Sequence, residues 1–467
     1  MGLEPSEQTY VYEHLWRPME QLFIYETQGT VMDAFFRHYL TMKLSRIPKQ
    51  GRVYEEFKLY HLNCEFGTIR ELCQDLLEYA KYYTNIVFKR NTDTDLKKLY
   101  EDIIDLRMEG SYPFLLKIHH DCAEGLITSD ELKKILKLCI SYVLRRAICE
   151  IPTNSMNKTF ATLKNYIRPD DYLNFVKSFF VMQDTYKEFP DNDKFEGAFE
   201  SRDIYNMRAR NYILSRLENF ENKAPIIIEN YTIEHIMPQN KNLSSEWQAD
   251  LGAEWQEVQK KYLHTIGNLT LTAYNSEMSD RPFLEKMDMP GGFKESALRL
   301  NKYVVLQNKW NVKHIQERAN ELAKKAESIW PYPTLTAAEL APYQVEDKTV
   351  QKYSLETYDV NAFTIILFES LDKRIMNLSP AVKKEYKKLY VAYKLDTNFV
   401  DIVFQKQRLR ISINMKFSEI NDPNGICKDI TGLGRWGNGD VELFMEHQDE
   451  LDQIMEIVKQ SFDAQVE

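Results

Sequence analysis

The sequence predicts a mainly α-helical, multidomain protein with one short strand–strand–helix segment in its middle and a separate small α+β domain at its C-terminal end. Three observations predict it. Residues 1 to about 225 are rich in Leu, Ile, Tyr, Phe, Lys and Glu, poor in Pro and Gly, and repeat their apolar residues at helical spacing. Two short stretches of alternating β-branched and polar residues follow, Thr232 to His235 and Asn268 to Ala273. Alternation then returns near the C-terminus, in Phe399–Phe404 and Leu409–Asn414. At 467 residues the chain is also too long for one ordinary core. The expected division is a helical domain over 1–225, a core segment over 226–330, a linker over 331–352 and an α+β domain over 353–467.

In the helical domain, Phe35, Phe36, Tyr39, Leu40 and Leu44 recur at helical spacing, as do Leu72, Leu76, Leu77 and Tyr79, and Ile135, Leu136, Leu138 and Cys139. Thr128-Ser-Asp-Glu131 has the form of a capping box just before an apolar run, so a helix is expected to begin there. His119 and His120 are adjacent, and on a helix they diverge by about 100°, which favours packing or surface roles over a shared ligand. Thr232-Ile-Glu-His-Ile-Met-Pro-Gln239 reads as a strand closed by Pro238. An insertion with Trp247 and Trp255, read as helical, separates it from the second strand. After that strand, Tyr274 to Met287 is helix-compatible at its start and interrupted at Pro282, and Gly291-Gly292 marks a turn. Trp310, Ile315, Leu322 and Ile329 then return to helical spacing.

Pro331 to Pro342 holds three prolines in twelve residues and reads as a linker. Beyond it, a helix is expected over Ala362–Met376 and a Lys-rich helix over Ala381–Tyr390, with Lys383, Lys384, Lys387 and Lys388 on one face. Turns at Asp422–Gly425 and Gly432–Gly439 and a closing amphipathic helix, Asp449–Phe462, complete the domain.

Composition excludes several classes. No stretch approaches the roughly 18 to 20 apolar residues needed to cross a bilayer, and no basic-then-apolar leader opens the chain, so a cytoplasmic protein is expected. Six cysteines, Cys64, Cys73, Cys122, Cys139, Cys149 and Cys427, lack any C-x-x-C pair, which argues against structural zinc and disulfides. The formal net charge is −10, so contact with a polyanion has to be local. Arg281 to Lys325 holds ten Lys or Arg against five Asp or Glu. That stretch is where phosphate contacts are expected, with Arg281 and Lys286 nearest the central segment.

The chemistry concentrates in Glu234, His235, Asn268 and Asn275. Singly, a Glu-His pair is a solvated strand edge, Asn268 after Gly267 a turn signal, and Asn275 a helix cap. Together, in this order, strand, strand and helix with these residues resemble the ββα-metal, or HNH, nuclease finger. Two departures stand out: 33 positions separate His235 from Asn268, and the carboxylate is Glu where many such fingers have Asp. The flanks resemble one family, the nuclease half of GmrSD-like, modification-dependent (type IV) restriction proteins. The resemblance rests on Trp16-Arg-Pro-Met-Glu20, Phe35 to Lys43, Arg145-Arg-Ala-Ile-Cys149, Phe283-Leu-Glu-Lys286, Gly291 to Ser296, Trp310, Arg318 and Ile329-Trp-Pro331.

The resemblance implies a DNA endonuclease of an anti-phage restriction system acting on modified DNA. His235 would be the general base, a role suited to a neutral imidazole. Glu234 and Asn275 would hold Mg²⁺ or Mn²⁺ through oxygen donors, and Asn268 would orient the His235 ring or brace the finger. It also implies an NTP-using sensor module as partner. No Walker-type phosphate-binding run occurs in this sequence, so that module is expected on another chain or segment. Two alternatives use the same fold: a catalytically silent nucleic-acid-binding or assembly module, and an RNA-cleaving toxin. Oligomeric state is open.

Overall fold

The computed structural model describes all residues except 1–3, 25–29, 64–65, 154, 344–352, 359, 396, 432–438 and 467. Cys64, the end of the expected linker and most of the Gly432–Gly439 turn therefore lie outside the described residues. The chain forms two compact units, Met1–Gln344 and Val345–Glu467. It is mostly helical, with its larger sheet confined to the second unit. No helix among the described residues is long and apolar enough to cross a membrane.

In the first unit, helix starts follow local chemistry. Thr68 and Glu71 form a reciprocal capping box at the head of Ile69–Val87, and Thr128 and Glu131 do so for Ser129–Ile148, as expected. The helices close over an aromatic core that includes Phe35, Tyr39, Tyr79, Tyr83, Tyr112 and Tyr142. His119 belongs to this interior, its Nε2 2.8 Å from the Tyr100 hydroxyl and its Nδ1 2.7 Å from the Leu115 carbonyl oxygen. The same core reaches Leu269 and Leu271 and the inner face of helix Val312–Ile329. A second cluster, with Met237, Trp247, Phe283, Met287 and Trp310, packs on the other side. A two-stranded antiparallel ribbon, β1 (Thr232–His235) and β2 (Leu269–Thr272), thus runs between two apolar clusters.

Buried arginines fasten this arrangement. Arg318, on helix Val312–Ile329, donates to the carbonyls of Ile266 (2.9 Å), Gly267 (2.8 Å) and Leu300 (3.1 Å). Its partner segment comes so close that a Cβ at Gly267 would lie 2.3 Å from the Ile315 carbonyl oxygen; only glycine permits that approach. Arg145 likewise donates to the carbonyls of Trp330 and Pro190 and to Asn192. Part of the segment read as a linker is structured: Ala337–Leu340 is a helical turn capped by Thr336 and Glu339.

The second unit is a six-stranded antiparallel sheet, in the order β3 (Lys383–Tyr386), β4 (Val391–Lys394), β5 (Asn398–Phe404), β6 (Leu409–Ile413), β8 (Val441–Met445), β7 (Lys428–Asp429). Helices Ala362–Met376 and Leu451–Val466 share its core, contributing Leu367, Leu371, Ile454 and Val458. The Lys-rich helix expected over Ala381–Tyr390 is instead strand β3 and the turn into β4. Val382, Lys384 and Tyr386 alternate toward the core, and Lys384 Nζ reaches Asp372 on the preceding helix at 2.9 Å. Lys387 pairs with Glu385, so the four lysines share no common face. Pairing with β4 outweighs the helical propensity of Lys and Glu.

Replacing Arg318 by alanine removes a donor from three buried carbonyls at once, of which Ile266 keeps the Leu269 amide. Equilibrium urea unfolding should show a loss of about 3 kcal/mol or more, and a loss below about 1 kcal/mol would show that these carbonyls find other partners.

Candidate active site

β1 stops where Pro238 can no longer donate to a ladder. Its register sets Glu234 opposite Thr270 and His235 opposite Leu269. Neighbouring strand residues leave by opposite faces, and these two do: Glu234 meets Lys286, whereas His235 meets His264 and Tyr205. The chain beyond β1 is irregular and buried, so side chains satisfy its backbone. Lys286 Nζ donates to the carbonyls of His235 (3.1 Å) and Ile236 (3.3 Å). Asn268 accepts from the Met237 amide at 2.8 Å and donates to the Met237 carbonyl at 3.1 Å. Gln259 donates to the carbonyls of Pro238 (2.8 Å) and Asn240 (2.9 Å).

Glu234, His235 and Asn275 line one open cleft of about 360 Å³, together with Pro238, Gln239, Asn240, Ser279 and Asp280. Asn275 opens the helical turn Asn275–Met278 that follows β2. Its Nδ2 donates to the Ile233 carbonyl at 2.7 Å, which leaves Oδ1 as the atom it can offer to a cation. Asp280 accepts from Asn240 Nδ2 at 2.8 Å, a bond that holds its carboxyl below the ordinary range. The cleft's side-chain donors from Glu234, Asn275, Ser279 and Asp280 are all oxygens, a set that suits a hard divalent cation. Glu234 gives one oxygen, Oε1, to Lys286 at 2.5 Å and retains a second.

Burial sets the two neighbours' protonation in opposite senses. It raises the Glu234 carboxyl, and Lys286 opposes that shift. It lowers the His235 imidazole to about 3, reinforced by His264 and Lys286 and opposed by Asp203. The ring is therefore neutral at physiological pH, as proton abstraction requires.

Two expectations change. Lys286, expected on phosphate, is fully buried, and its ammonium is spent on Glu234 and two carbonyls; the basic run it belongs to gave no sign of that depth. Asn268, expected to orient the ring or brace the turn, is buried with no bond to His235. Its side chain holds Met237 and Leu263 and accepts from the Trp310 indole, which makes it a brace. Arg281 is exposed; its Nε donates to the Glu277 carbonyl at 2.8 Å and its Nη1 lies 3.4 Å from Glu285. His264, Tyr205, Asp280 and Gln259 were not singled out beforehand. The proximity of His264 to Gly267-Asn268 was the only hint, and Tyr205 and Gln259 gave none.

Two measurements probe this electrostatics. Lys286→Met leaves an unpaired buried carboxylate and should cost about 3–5 kcal/mol in urea unfolding, whereas Lys286→Met with Glu234→Leu should recover much of it. A double variant no more stable than the single one refutes the pairing. Unfolded, His235 takes a proton near 6.5; folded, only near 3. The unfolded chain thus binds more protons within that window, and stability falls as pH drops through it. His38 and His119, each lowered to about 4, add to the fall. His235→Gln should flatten the decline of Tm between pH 6.5 and 4; an unchanged slope contradicts a buried neutral ring.

The segment that carries the cleft resembles known proteins. Residues 189–325, which contain both strands and the cleft, match the GmrSD restriction endonucleases, C-terminal domain. Residues 356–465 match a domain of unknown function, DUF5655. A stretch of 103 residues is 38% identical to an uncharacterized protein of Haemophilus influenzae, covering 22% of this chain and 34% of the relative. The chain thus spans about a third of that relative's length. The segment that builds the cleft is GmrSD-like, and this chain joins it to a DUF5655 domain.

Proposed function

We propose that the first unit is a metal-dependent endonuclease that hydrolyses DNA phosphodiesters as part of a restriction system. The observation that carries the reading is the meeting of Glu234, His235 and Asn275 on one cleft, inside the segment that matches restriction endonucleases. In this reading β1, β2 and the turn Asn275–Met278 are an HNH-type ββα finger. His235, neutral and fixed at the end of β1, takes the proton of the attacking water. Glu234 and Asn275, with Asp280 across the cleft, would hold Mg²⁺ or Mn²⁺, which when bound neutralises charge on the scissile phosphate and the leaving oxygen. Lys286 restrains Glu234 and the strand end, so the carboxylate keeps its place whether or not a cation is present. Arg281, at the exposed rim, contacts the phosphate backbone. Modified DNA as the target, an NTP-using sensor as partner and a cytoplasmic location belong to the same proposal and rest on family likeness.

Purified chain incubated with plasmid DNA and with RNA, in Mg²⁺, Mn²⁺ or EDTA, tests it. DNA cleavage should require the divalent ion, and His235→Ala should lower it by about 10²- to 10⁴-fold. Undiminished cleavage by that variant removes His235 from the mechanism. Cleavage in EDTA removes the metal, and preference for RNA makes the protein a ribonuclease.

A further inference from the structure

We infer that His264 is a positioning residue for His235: it accepts a hydrogen bond from His235 Nε2–H and so leaves His235 Nδ1 as the unprotonated nitrogen that takes the proton. This rests on the reading of His235 as general base. The two rings meet edge to face, with His235 Nε2 3.0 Å from His264 Nδ1. One of these nitrogens has to carry the proton, which leaves two assignments. If His264 Nδ1 carried it, His235 would accept at Nε2 and hold its own proton on Nδ1, with no lone pair left to act as a base. Only the opposite assignment gives a base. The hydrogen bond made by one nitrogen of an imidazole sets the state of the other.

His264 is built to hold that place. Its ring stacks on Tyr205 at 5.1 Å with an interplanar angle of 11°. Its carbonyl accepts from the amides of Ile204 (3.0 Å) and Tyr205 (3.3 Å). The preceding carbonyl, of Leu263, accepts from Asn268. Tyr205 also meets the edge of His235 at 4.5 Å, and its carbonyl accepts from Arg210 at 3.0 Å. The base is thus oriented by a residue from the end of the insertion and a ring from the helical segment before β1. This is the base-and-orienter arrangement of activated nucleophiles in general, with a second imidazole in the orienting position.

The test compares the full chain with His264→Leu, His264→Asn and His235→Ala, by plasmid cleavage and by nitrogen-15 NMR of the histidine rings. Leucine removes the acceptor, and asparagine restores one near the position of Nδ1. His264→Leu should lower kcat by about 10- to 100-fold with KM little changed, and His264→Asn should recover most of it. The spectra should show His235 protonated at Nε2 in the parent chain, with that preference reduced in His264→Leu. If His264→Leu cleaves like the parent while His235→Ala is inactive, the inference fails and the nuclease reading stands. If His235→Ala also cleaves like the parent, that reading fails. Equal losses in the leucine and asparagine variants reduce His264 to packing, and a His235 ring protonated at Nδ1 overturns the assignment whatever the activities.

Discussion

The irregular segment that follows β1, buried from His235 to Pro238, is the constraint around which the first unit is arranged. A strand that ends inside a protein leaves carbonyl and amide groups without ladder partners, each costing on the order of 1–3 kcal/mol if unpaired. Here three side chains from three places supply the bonds: Lys286 from beyond β2, Asn268 from the start of β2, and Gln259 from the insertion. The insertion that separates the strands therefore has a structural duty. Its helix Trp255–Tyr262 brings Gln259 under Pro238, and its end brings His264 to His235. Held this way, the turn keeps the Glu234 and His235 backbone rigid at the cleft, as a catalytic geometry requires.

The same burial divides the electrostatics of two adjacent residues. Glu234 stays compatible with charge because Lys286 lies beside it in the interior, a pair whose mutual attraction offsets desolvation only at close geometry. For His235, burial disfavours the protonated form, with His264 and Lys286 adding to it and Asp203 opposing it. A carboxylate kept in place and an imidazole kept neutral are complementary conditions for metal-assisted hydrolysis. Both arise from which face of β1 each side chain leaves by.

The second unit shows how a charge pattern misleads. Lys383, Lys384, Lys387 and Lys388 fall at helical spacing, and nothing local contradicts a helix. Edge strand β3 forms because Lys384 finds Asp372 and because Val382 and Tyr386 match the apolar side of the sheet. Lysines are common on sheet edges, where they discourage further pairing, so the composition suits either element until the neighbour strand is known.

Much was legible in the chain alone, for local reasons. The capping box at Thr128, the alternation of β5 and β6 and the helix Ala362–Met376 all follow from interactions within a few residues. The presence of Glu234, His235 and Asn275 on one site could be read from their order and from family likeness. Tertiary structure alone decided their partners. Lys286 looked like one more basic surface residue, and Asn268 like a ring orienter or a brace of the finger; burial made the first a counter-ion and left the second bonded to the backbone. Asp280 entered the cleft, and His264 and Tyr205 came to His235, through a strand register and a 3.0 Å contact between residues 29 positions apart. Sequence carries short-range preference and periodicity, whereas desolvation and hydrogen-bond partnership depend on what the rest of the chain brings within a few ångströms.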